Sequence, residues 1–365
     1  MKKRAFALAL VLVLSLTACG GGQSAAPSAP SNPSAPSTPA DSGAAGVSDS
    51  MDDLPEVTWR FSINTASTMP ASIAAVEMAE KVSERTNGKF TLEVYPDNLL
   101  GAYEAVYEEV MMGSIEMSAN AIPTTYDSRL EMLQIPYLVT SYDEARVVFA
   151  PGSRVYTKFS EILAESNIKC LGLYGDGFVG VGVMKLDPNY ADPAAPKSQL
   201  IRTSSSTSNR IIVDAMNYQT TTISFSELFT AMQTGVCDGW FGGSVISNYN
   251  NFRDIIKYYI NYRAILDKKA FIVNLDAWNA LPAEYQTILE EEVSAICEGS
   301  YDSLVDLDKE YQSKLSEEGV EFIDFTDEEM SIIAEHVREK TWDTMEELCT
   351  KEIMDLARED VAALQ

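Results

Sequence analysis

The chain has 365 residues, enough for two domains, and 46% of them are hydrophobic, enough for a sizeable core. Its 27 basic and 54 acidic residues give a formal net charge of −27. This charge argues against binding to nucleic acid, whose phosphates would be repelled, and against lying flat on an anionic membrane. An acidic protein that binds an anion needs locally placed positive groups, so a cation in a cleft would be informative.

The first 18 residues have the pattern of a bacterial signal peptide. Three basic residues precede an apolar run, 5–14, that is too short to span a bilayer as a stable helix. Leu16-Thr17-Ala18-Cys19 then resembles the lipobox of lipoproteins, in which the cysteine is lipidated and the chain is cleaved before it. We therefore predict a signal peptide over 1–18 and an extracytoplasmic protein anchored to the cell membrane through a lipid on Cys19. The alternative is an ordinary secretory signal with a chance cysteine.

A flexible tether is predicted over 19–54. Most of this segment consists of Ser, Ala, Pro, Gly and Asn with almost no charge, so it cannot bury a core. Such a segment would hold the folded part away from the membrane.

From residue 57 the sequence alternates between strand and helix patterns. Period-two alternation of apolar side chains marks the strands, and a glycine ends each of the helices between them. The order strand–helix–strand–helix–strand predicts a parallel sheet in an α/β fold. The predicted elements are strands at 57–63, 90–94 and 115–121 and helices at 72–87 and 102–112.

Two asparagines stand at the predicted carboxyl ends of these strands. Asn64 follows the first strand, and Asn120 lies near the end of the third. Ligands of such sheets bind outside the carboxyl ends of the strands. Both asparagines are therefore candidate binding residues.

A short capped helix is predicted within 200–239. Ser224 and Glu227 have the spacing of a capping box, and Gly235 stands where a left-handed C-terminal cap is expected. Four apolar residues share one face of this helix, namely Phe225, Leu228, Phe229 and Met232. Arg202 closes the short apolar segment before it, so we expect Arg202 to end a strand and to point its guanidinium into a cleft.

This stretch resembles the solute-binding subunit of tripartite ATP-independent periplasmic (TRAP) transporters, the dicarboxylate-binding periplasmic protein family. That family carries a hydrophobic–arginine pair, an aromatic-Ser/Gly-Glu helix and a string that ends in Gln-Thr-Gly-Val-hydrophobic-Asp-Gly. The corresponding residues here are Ile201-Arg202, Phe225-Ser226-Glu227 and 231–239. Further matches to the family are Glu93–Pro96, Leu100-Gly101, Gly113–Met117, Ile135–Leu138 and Trp278–Pro282.

The resemblance implies an α/β, two-lobed periplasmic-binding-protein fold of class II-like type, with a long helix that spans both lobes. It also implies that Arg202 pairs bidentately with the carboxylate of an organic acid, and that membrane permease subunits are the partners. The lobes would comprise 55–175 and 263–300 (lobe I) and 176–262 and 301–365 (lobe II). The residue pattern independently predicts a helix of about 35 residues from 285 to Gly319, or about 50 Å, which is longer than one lobe.

Two departures from the family pattern fall in the expected cleft. Val179 stands where family members commonly carry a second arginine, and Trp240-Phe241-Gly242 replaces their Gln-Glu-Asn. The loss of one cation and the gain of an indole predict a monocarboxylate whose apolar or aromatic portion rests on Trp240 or Phe225. Gly242 joins the candidate binding residues, while core packing remains an equal alternative for Trp240.

The rest of the chain adds elements but no catalytic motif. A helix is predicted at 248–262, a strand returning to lobe I at 271–275, a strand at 320–323 and two acidic helices after it. No phosphate-binding loop is present. The cysteines are far apart in the chain, and His336 is the one histidine and a predicted surface residue, so a metal site is not expected. No cofactor is therefore expected. The pairing of Cys170, Cys237, Cys297 and Cys349 is left open.

Two other functions compete with transport. A sensor lipoprotein of the same fold would present its ligand to a membrane kinase, and the sequence does not separate this function from transport. A secreted hydrolase is the weaker alternative, because the chain has no Gly-x-Ser-x-Gly motif and no histidine near a Ser or Cys nucleophile.

Overall fold

The computed structural model describes residues 51–364, and these residues form two sheets covered by helices. The predicted signal peptide, the lipidation residue Cys19 and residues 19–50 of the tether lie outside the described residues. The strands in chain order are β1 (Val57–Ile63), β2 (Phe90–Tyr95), β3 (Met117–Asn120), β4 (Ile168–Phe178), β5 (Gly180–Val183), β6 (Leu200–Thr203), β7 (Gln219–Thr222), β8 (Gly239–Gly243), β9 (Tyr258–Ile260), β10 (Leu266–Asn274) and β11 (Glu321–Ile323).

The helices follow the predicted alternation with strands in the first third of the chain. They are α1 (Pro70–Arg85), α2 (Tyr103–Met112), α3 (Tyr142–Val148), α4 (Arg154–Ala164), α5 (Thr207–Ala215), α6 (Phe225–Gln233), α7 (Val245–Phe252), α8 (Leu275–Ala280), α9 (Ala283–Glu317), α10 (Asp327–Cys349) and α11 (Lys351–Leu364). Short 3-10 helices form at Met51–Asp53 and Ser128–Gln134.

The first sheet, which defines lobe I, has the order β2-β1-β3-β10-β4. As predicted, β1 is parallel to both β2 and β3. The returning strand β10 lies antiparallel between β3 and β4. The parallel strands therefore present their carboxyl ends at one edge, where Asn64 and Asn120 follow β1 and end β3.

The second sheet, which defines lobe II, has the order β11-β9-β5-β8-β6-β7. Here β6 is parallel to its neighbours β7 and β8, while β5 is antiparallel to β8 and β9. The chain passes from lobe I to lobe II at Val179, between β4 and β5, and returns between β9 and β10.

The long helix α9 spans both lobes, as predicted. Tyr285, Leu289 and Val293 near its start are buried in the lobe I core, and Leu304 and Leu315 near its end are buried in the lobe II core. None of the helices in the described part of the chain is long and apolar enough to cross a membrane.

A second helix also crosses between the lobes, which the sequence did not suggest. In α10, Ile333 and Val337 pack in the lobe II core, whereas Met345 packs in the lobe I core. Helix α11 continues on lobe I, where Ile353 and Met354 are buried. The assignment of all residues from 301 to 365 to lobe II therefore does not hold for the end of α10 and for α11, because their buried side chains pack in the lobe I core.

Two further element predictions need correction. The helix predicted at 248–262 ends at Phe252, and β9 follows, because Tyr259 and Ile260 are buried in register with β5 and β11. The predicted tether ends earlier than residue 54, because Met51 and Leu54 pack against the lobe I core.

Candidate functional site

Lobe I contributes two adjacent asparagines at the carboxyl ends of its parallel strands. Because Ile63 is in register with Ala119, the next residues, Asn64 and Asn120, come to lie side by side. The Asn64 backbone N–H donates to Asn120 Oδ1 at 2.7 Å. Asn120 is 3% exposed, and neither its Nδ2 nor Asn64 Oδ1 has a hydrogen-bond partner among the described residues. Buried amide atoms are normally bonded, so these two atoms have hydrogen-bonding capacity that the described residues do not use.

Lobe II contributes Arg202, the third residue of the four-residue strand β6. Parallel register places Arg202 beside Trp240 of β8, so the two side chains lie on the same face of the sheet. Arg202 is only 4% exposed. Its Nε donates to the carbonyl oxygen of Ile223 at 2.7 Å, which fixes the plane of the guanidinium.

Arg202 is a buried cation without a counter-ion among the described residues. Within residues 51–364 no Asp or Glu forms an ion pair with it. Burial lowers the pKa of its guanidinium to about 10, so Arg202 stays positively charged at neutral pH. A buried charge is costly unless it is paired. The site is therefore electrostatically incomplete, and an anion would complete it.

An aromatic cluster adjoins this cation. Trp240 lies 4.6 Å from Phe252 and 6.0 Å from Phe225, measured between ring centroids. Trp240 is 1% exposed, and its Nε1 donates to Oδ1 of Asn248 at 3.0 Å. Phe225 is 52% exposed. In this conformation Trp240 forms the packed base of the cluster, and Phe225 presents the accessible ring.

Gly242 brings the backbone close to both groups. Its φ of +140° disfavours other residues, and a Cβ atom there would lie 3.7 Å from Arg202 Nη1 and 3.4 Å from Trp240 Cζ3. The glycine thus leaves room beside the guanidinium that a side chain would fill.

Helix α6 carries Phe225 but does not form the predicted capping box. Ser224 is the N-cap residue by backbone conformation, yet its Oγ donates to the carboxylate of Glu227 at 2.9 Å and accepts no backbone N–H. The C-terminal prediction is confirmed, because Gly235 has a φ of +74° and the Val236 N–H donates to the Ala231 carbonyl.

Two residues of lobe I face this part of lobe II and were missed in the sequence. Burial raises the pKa of the Tyr103 phenol to about 12, with Glu104 acting in the same direction, while Ser205 and the charge of Arg202 lower it. Tyr103 at the start of α2 therefore lies near Arg202. Met69 packs in the core around α6 and accepts from Nδ2 of Asn250 at 3.2 Å. Neither residue has a sequence signal beyond its place near a helix start.

Other candidates lie outside this constellation. Val179 is buried in the lobe II core at the crossover between the sheets. A cavity of about 510 Å³ lies at the edge strand β4 of the lobe I sheet, between α4, α8 and α9, with Tyr156, Cys170 and Trp278 in its wall. None of the sequence-predicted binding residues lines this cavity.

Nothing in the described part of the chain resembles a metal centre. Within residues 51–364 no group of three or more His, Cys, Asp or Glu side chains is placed to hold a metal ion. The four cysteines left open by the sequence, Cys170, Cys237, Cys297 and Cys349, are buried free thiols. His336 is half-buried, with Nε2 lying 3.1 Å from the carbonyl oxygen of Ala215, so it packs against the end of α5.

Comparison with known proteins connects this fold and site to a family. A model of the family described as bacterial extracellular solute-binding protein, family 7 (DctP) matches residues 61–348. The C4-dicarboxylate-binding periplasmic protein DctP of Rhodobacter capsulatus is 25% identical over 243 residues, which cover 64% of this chain and 69% of that protein.

Solved structures share the two-lobed fold. A TRAP periplasmic solute-binding protein from Desulfovibrio salexigens, with bound orotic acid, has a TM-score of 0.76 at 20% identity, covering 84% of this chain and 99% of that chain. One from Haemophilus influenzae, with bound L-gulonate, has a TM-score of 0.73 at 21% identity, covering 83% and 99%.

The family match begins inside β1 and ends in α10, so it includes both sheets and the lobe-spanning helix. The family predicted from the sequence motifs and the family that matches are the same. This chain belongs to the bacterial extracellular solute-binding protein family 7, the DctP family.

Proposed function

We propose that this protein is the membrane-anchored, extracytoplasmic solute-binding subunit of a TRAP-type transporter. It binds an organic acid between its lobes and delivers it to membrane permease subunits. The binding residues would be Arg202, Phe225, Trp240 and Gly242 of lobe II and Asn64 and Asn120 of lobe I.

The observation that carries this proposal is the state of Arg202. The guanidinium is buried, held by one hydrogen bond from Nε, and without an acidic partner among the described residues. A carboxylate would accept two parallel N–H bonds from such a guanidinium, an arrangement that is both strong and directional. The related proteins also favour an acid, since their ligands include orotic acid, L-gulonate and C4-dicarboxylates.

The distribution of groups between the lobes suggests how closure would follow binding. Arg202 lies in lobe II, and the unpartnered amide atoms of Asn64 and Asn120 lie in lobe I. A ligand that bonds both sets gains its full binding energy only when the lobes are closed. Binding would therefore shift the population toward the closed form, which the permease would recognise.

The surroundings of Arg202 favour one carboxylate with an apolar portion. Val179 is buried in the lobe II core where relatives commonly carry a second arginine, so that cation is missing. The exposed ring of Phe225, supported by Trp240, offers an apolar surface beside the cation. We therefore propose a monocarboxylate whose apolar or aromatic part rests on Phe225.

The location and the anchor are parts of the same proposal. The signal-peptide pattern over 1–18 and the lipobox ending in Cys19 favour an extracytoplasmic protein held by a lipid anchor. A lipid on Cys19 would keep the protein near its permease. A sensor lipoprotein with the same ligand site is the second candidate, and a small and a large multi-span permease gene beside this one would favour transport.

The proposal is tested by a thermal-shift screen of the purified protein. The panel contains aromatic and aliphatic monocarboxylates, dicarboxylates, neutral sugars and peptides. A ligand at 100 times its dissociation constant should add about 2.7 kcal/mol to the free energy of unfolding. We expect a monocarboxylate to stabilise the wild type and to have no effect on Arg202→Ala.

Two further variants make the result specific. Arg202→Lys keeps the charge but loses the bidentate fork, so it should bind the same acid much more weakly. Arg210→Ala removes an exposed arginine of the same lobe, whose partner is Asp214, and should bind normally. A stabilising ligand that acts equally on Arg202→Ala, or stabilisation by neutral sugars alone, would contradict the proposal.

A further inference from the structure

Glu131 is a buried carboxylate that joins the two lobes. It lies in the lobe I 3-10 helix and is 3% exposed. Its Oε1 accepts from the Thr124 hydroxyl at 2.8 Å and from the Thr207 backbone N–H at 3.0 Å. Its Oε2 accepts from the Ser206 hydroxyl at 2.9 Å and from the Ser208 backbone N–H at 3.4 Å.

The bonded groups follow the two strand ends of the candidate site. Thr124 lies on the loop that leaves β3 after Asn120, in lobe I. Ser206 lies on the loop that leaves β6 after Arg202, in lobe II, and is the N-cap residue of α5. Glu131 thus bridges the loop behind the lobe I amides and the loop behind the lobe II cation.

The charge of Glu131 is balanced by helix α5 and not by a cation. No Lys or Arg within the described residues forms an ion pair with it, and its four donors are two hydroxyls and two N–H groups of the first turn of α5. The positive end of a helix stabilises a carboxylate in this position. Loss of the carboxylate would leave buried N–H groups without acceptors, which is costly.

The loop between Arg202 and α5 is also bonded internally. Ser204 Oγ accepts from the Ser206 N–H at 3.2 Å and from Nδ2 of Asn209 at 2.8 Å. A displacement of Ser206 would therefore be passed directly to the end of β6. The start of α5 is thus bonded to Ser204, which follows Arg202 by two residues.

We propose that Glu131 is a positioning residue for the carboxylate pocket. Its carboxylate holds the loop that follows Arg202 and β6 against the loop that follows Asn120 and β3, and thereby orients the end of β6 that carries the cation. The proposal rests on the proposed function for its consequence in binding. Its structural content can be measured without any solute.

The test is hydrogen–deuterium exchange of the full-length protein, measured by mass spectrometry, with Glu131→Gln. The amide keeps the volume of the carboxylate but replaces one acceptor by a donor. Exchange in 121–127 and 203–212 should rise about tenfold or more, because hydrogen bonds to a charged group are lost there. Modification of Arg202 by phenylglyoxal should become several-fold faster.

Glu329→Gln is the matched control. Glu329 also accepts from a backbone N–H at a helix start, that of Thr326 at 2.9 Å, but Glu329 lies in α10 and Thr326 is the N-cap residue of the same helix. Its effect should remain at the start of α10. A uniform rise in exchange for Glu131→Gln, or no rise in 121–127 and 203–212, would overturn the proposal.

Chemical rescue separates positioning from general stability. Glu131→Gly leaves a space lined by the two hydroxyls and two N–H groups, so sodium formate should restore slow exchange in both loops, and neutral formamide should not. Failure of formate would overturn the proposal. The rescue should persist in Glu131→Gly/Arg202→Ala. If formate rescues the double variant but no organic acid binds the wild type, the positioning role of Glu131 stands and only the proposed function is contradicted.

Discussion

At the scale of single residues, two buried cations have different surroundings. Lys268 Nζ donates to the carbonyl oxygens of Leu133 at 3.0 Å and Leu266 at 2.6 Å, and it lies 4.1 Å from the centre of the Phe149 ring. Its donors are thus used inside the protein. Arg202 uses its Nε in this way, and its Nη1 lies beside Gly242. Lys268 therefore has a structural role, whereas the role that we propose for Arg202 is to bind the ligand.

Lys268 should make stability depend on pH. Burial lowers the pKa of its ammonium to about 7 in the folded state, whereas the unfolded state keeps the proton up to a pKa of about 10.4. Between these values the unfolded state binds more protons, so the free energy of unfolding rises with pH. From pH 7 to 9 this rise should be about 2 kcal/mol relative to Lys268→Met, as measured by urea unfolding. Lys185→Met removes an exposed lysine and is the control, so its free energy of unfolding should rise with pH as that of the wild type does. The prediction is wrong if the wild type and Lys268→Met show the same rise.

The sequence predicted those binding residues that lie within a recognisable motif. Arg202 follows a short apolar run and precedes a recognisable string, so its strand could be placed. Glu131 and Tyr103 could not be found, because the residues of lobe II that each of them lies near are far away in the chain. Only the packing of lobe I against lobe II brings Glu131 to the start of α5.

At the scale of elements, α9 packs closely on strand β4. A Cβ atom on Gly172 of β4 would lie 2.7 Å from Cys297 Sγ and 3.1 Å from Val293 Cγ1 of α9. Gly172→Ala should therefore force the helix away from the strand and destabilise the protein by about 1–3 kcal/mol. Denaturant unfolding measures this change.

Gly299 on α9 gives the opposite expectation and serves as the control. A Cβ atom there meets nothing within 4 Å. Because alanine favours a helix more than glycine does, Gly299→Ala should stabilise the protein by about 0.5–1 kcal/mol. If both variants shifted stability in the same direction, close packing of α9 on β4 would not be the cause.

The elements that the sequence predicted well are those whose burial is local. The strands β1 and β2 and the helix α9 show their period in the residue order itself. Strand β9 was misread because its burial comes from β5 and β11, which are distant in the chain. The crossing of α10 was missed for the same reason, since an apolar stripe does not say which lobe covers it.

At the scale of the whole molecule, the lobes are joined by shared packing as well as by the two chain crossovers. Helices α9 and α10 bury side chains in both cores. Tyr137, on the segment after the lobe I 3-10 helix, packs in the lobe II core and adopts a φ of 51°, which is unusual for a bulky residue. Its carbonyl oxygen accepts from Nε and Nη2 of Arg338 in α10. Unfolding of one lobe would remove partners from the other.

The two lobes should therefore unfold in a single transition. Trp59 is buried in the lobe I core and Trp240 in the lobe II core. Two variants each keep one of these tryptophans and have phenylalanine at the other tryptophan positions. The fluorescence of each variant therefore reports on one lobe. Within each variant, the fluorescence midpoint should agree with the far-UV circular dichroism midpoint to about 1 °C, as two-state unfolding requires. If the lobes were held only by the crossovers, they would unfold separately. Circular dichroism would then show two unfolding steps, and the fluorescence of each single-tryptophan variant would show only one of them. Coincidence in both variants would mean that α9 and α10 couple the cores. Closure of the cleft would then be a bending of shared helices, while both cores stay folded.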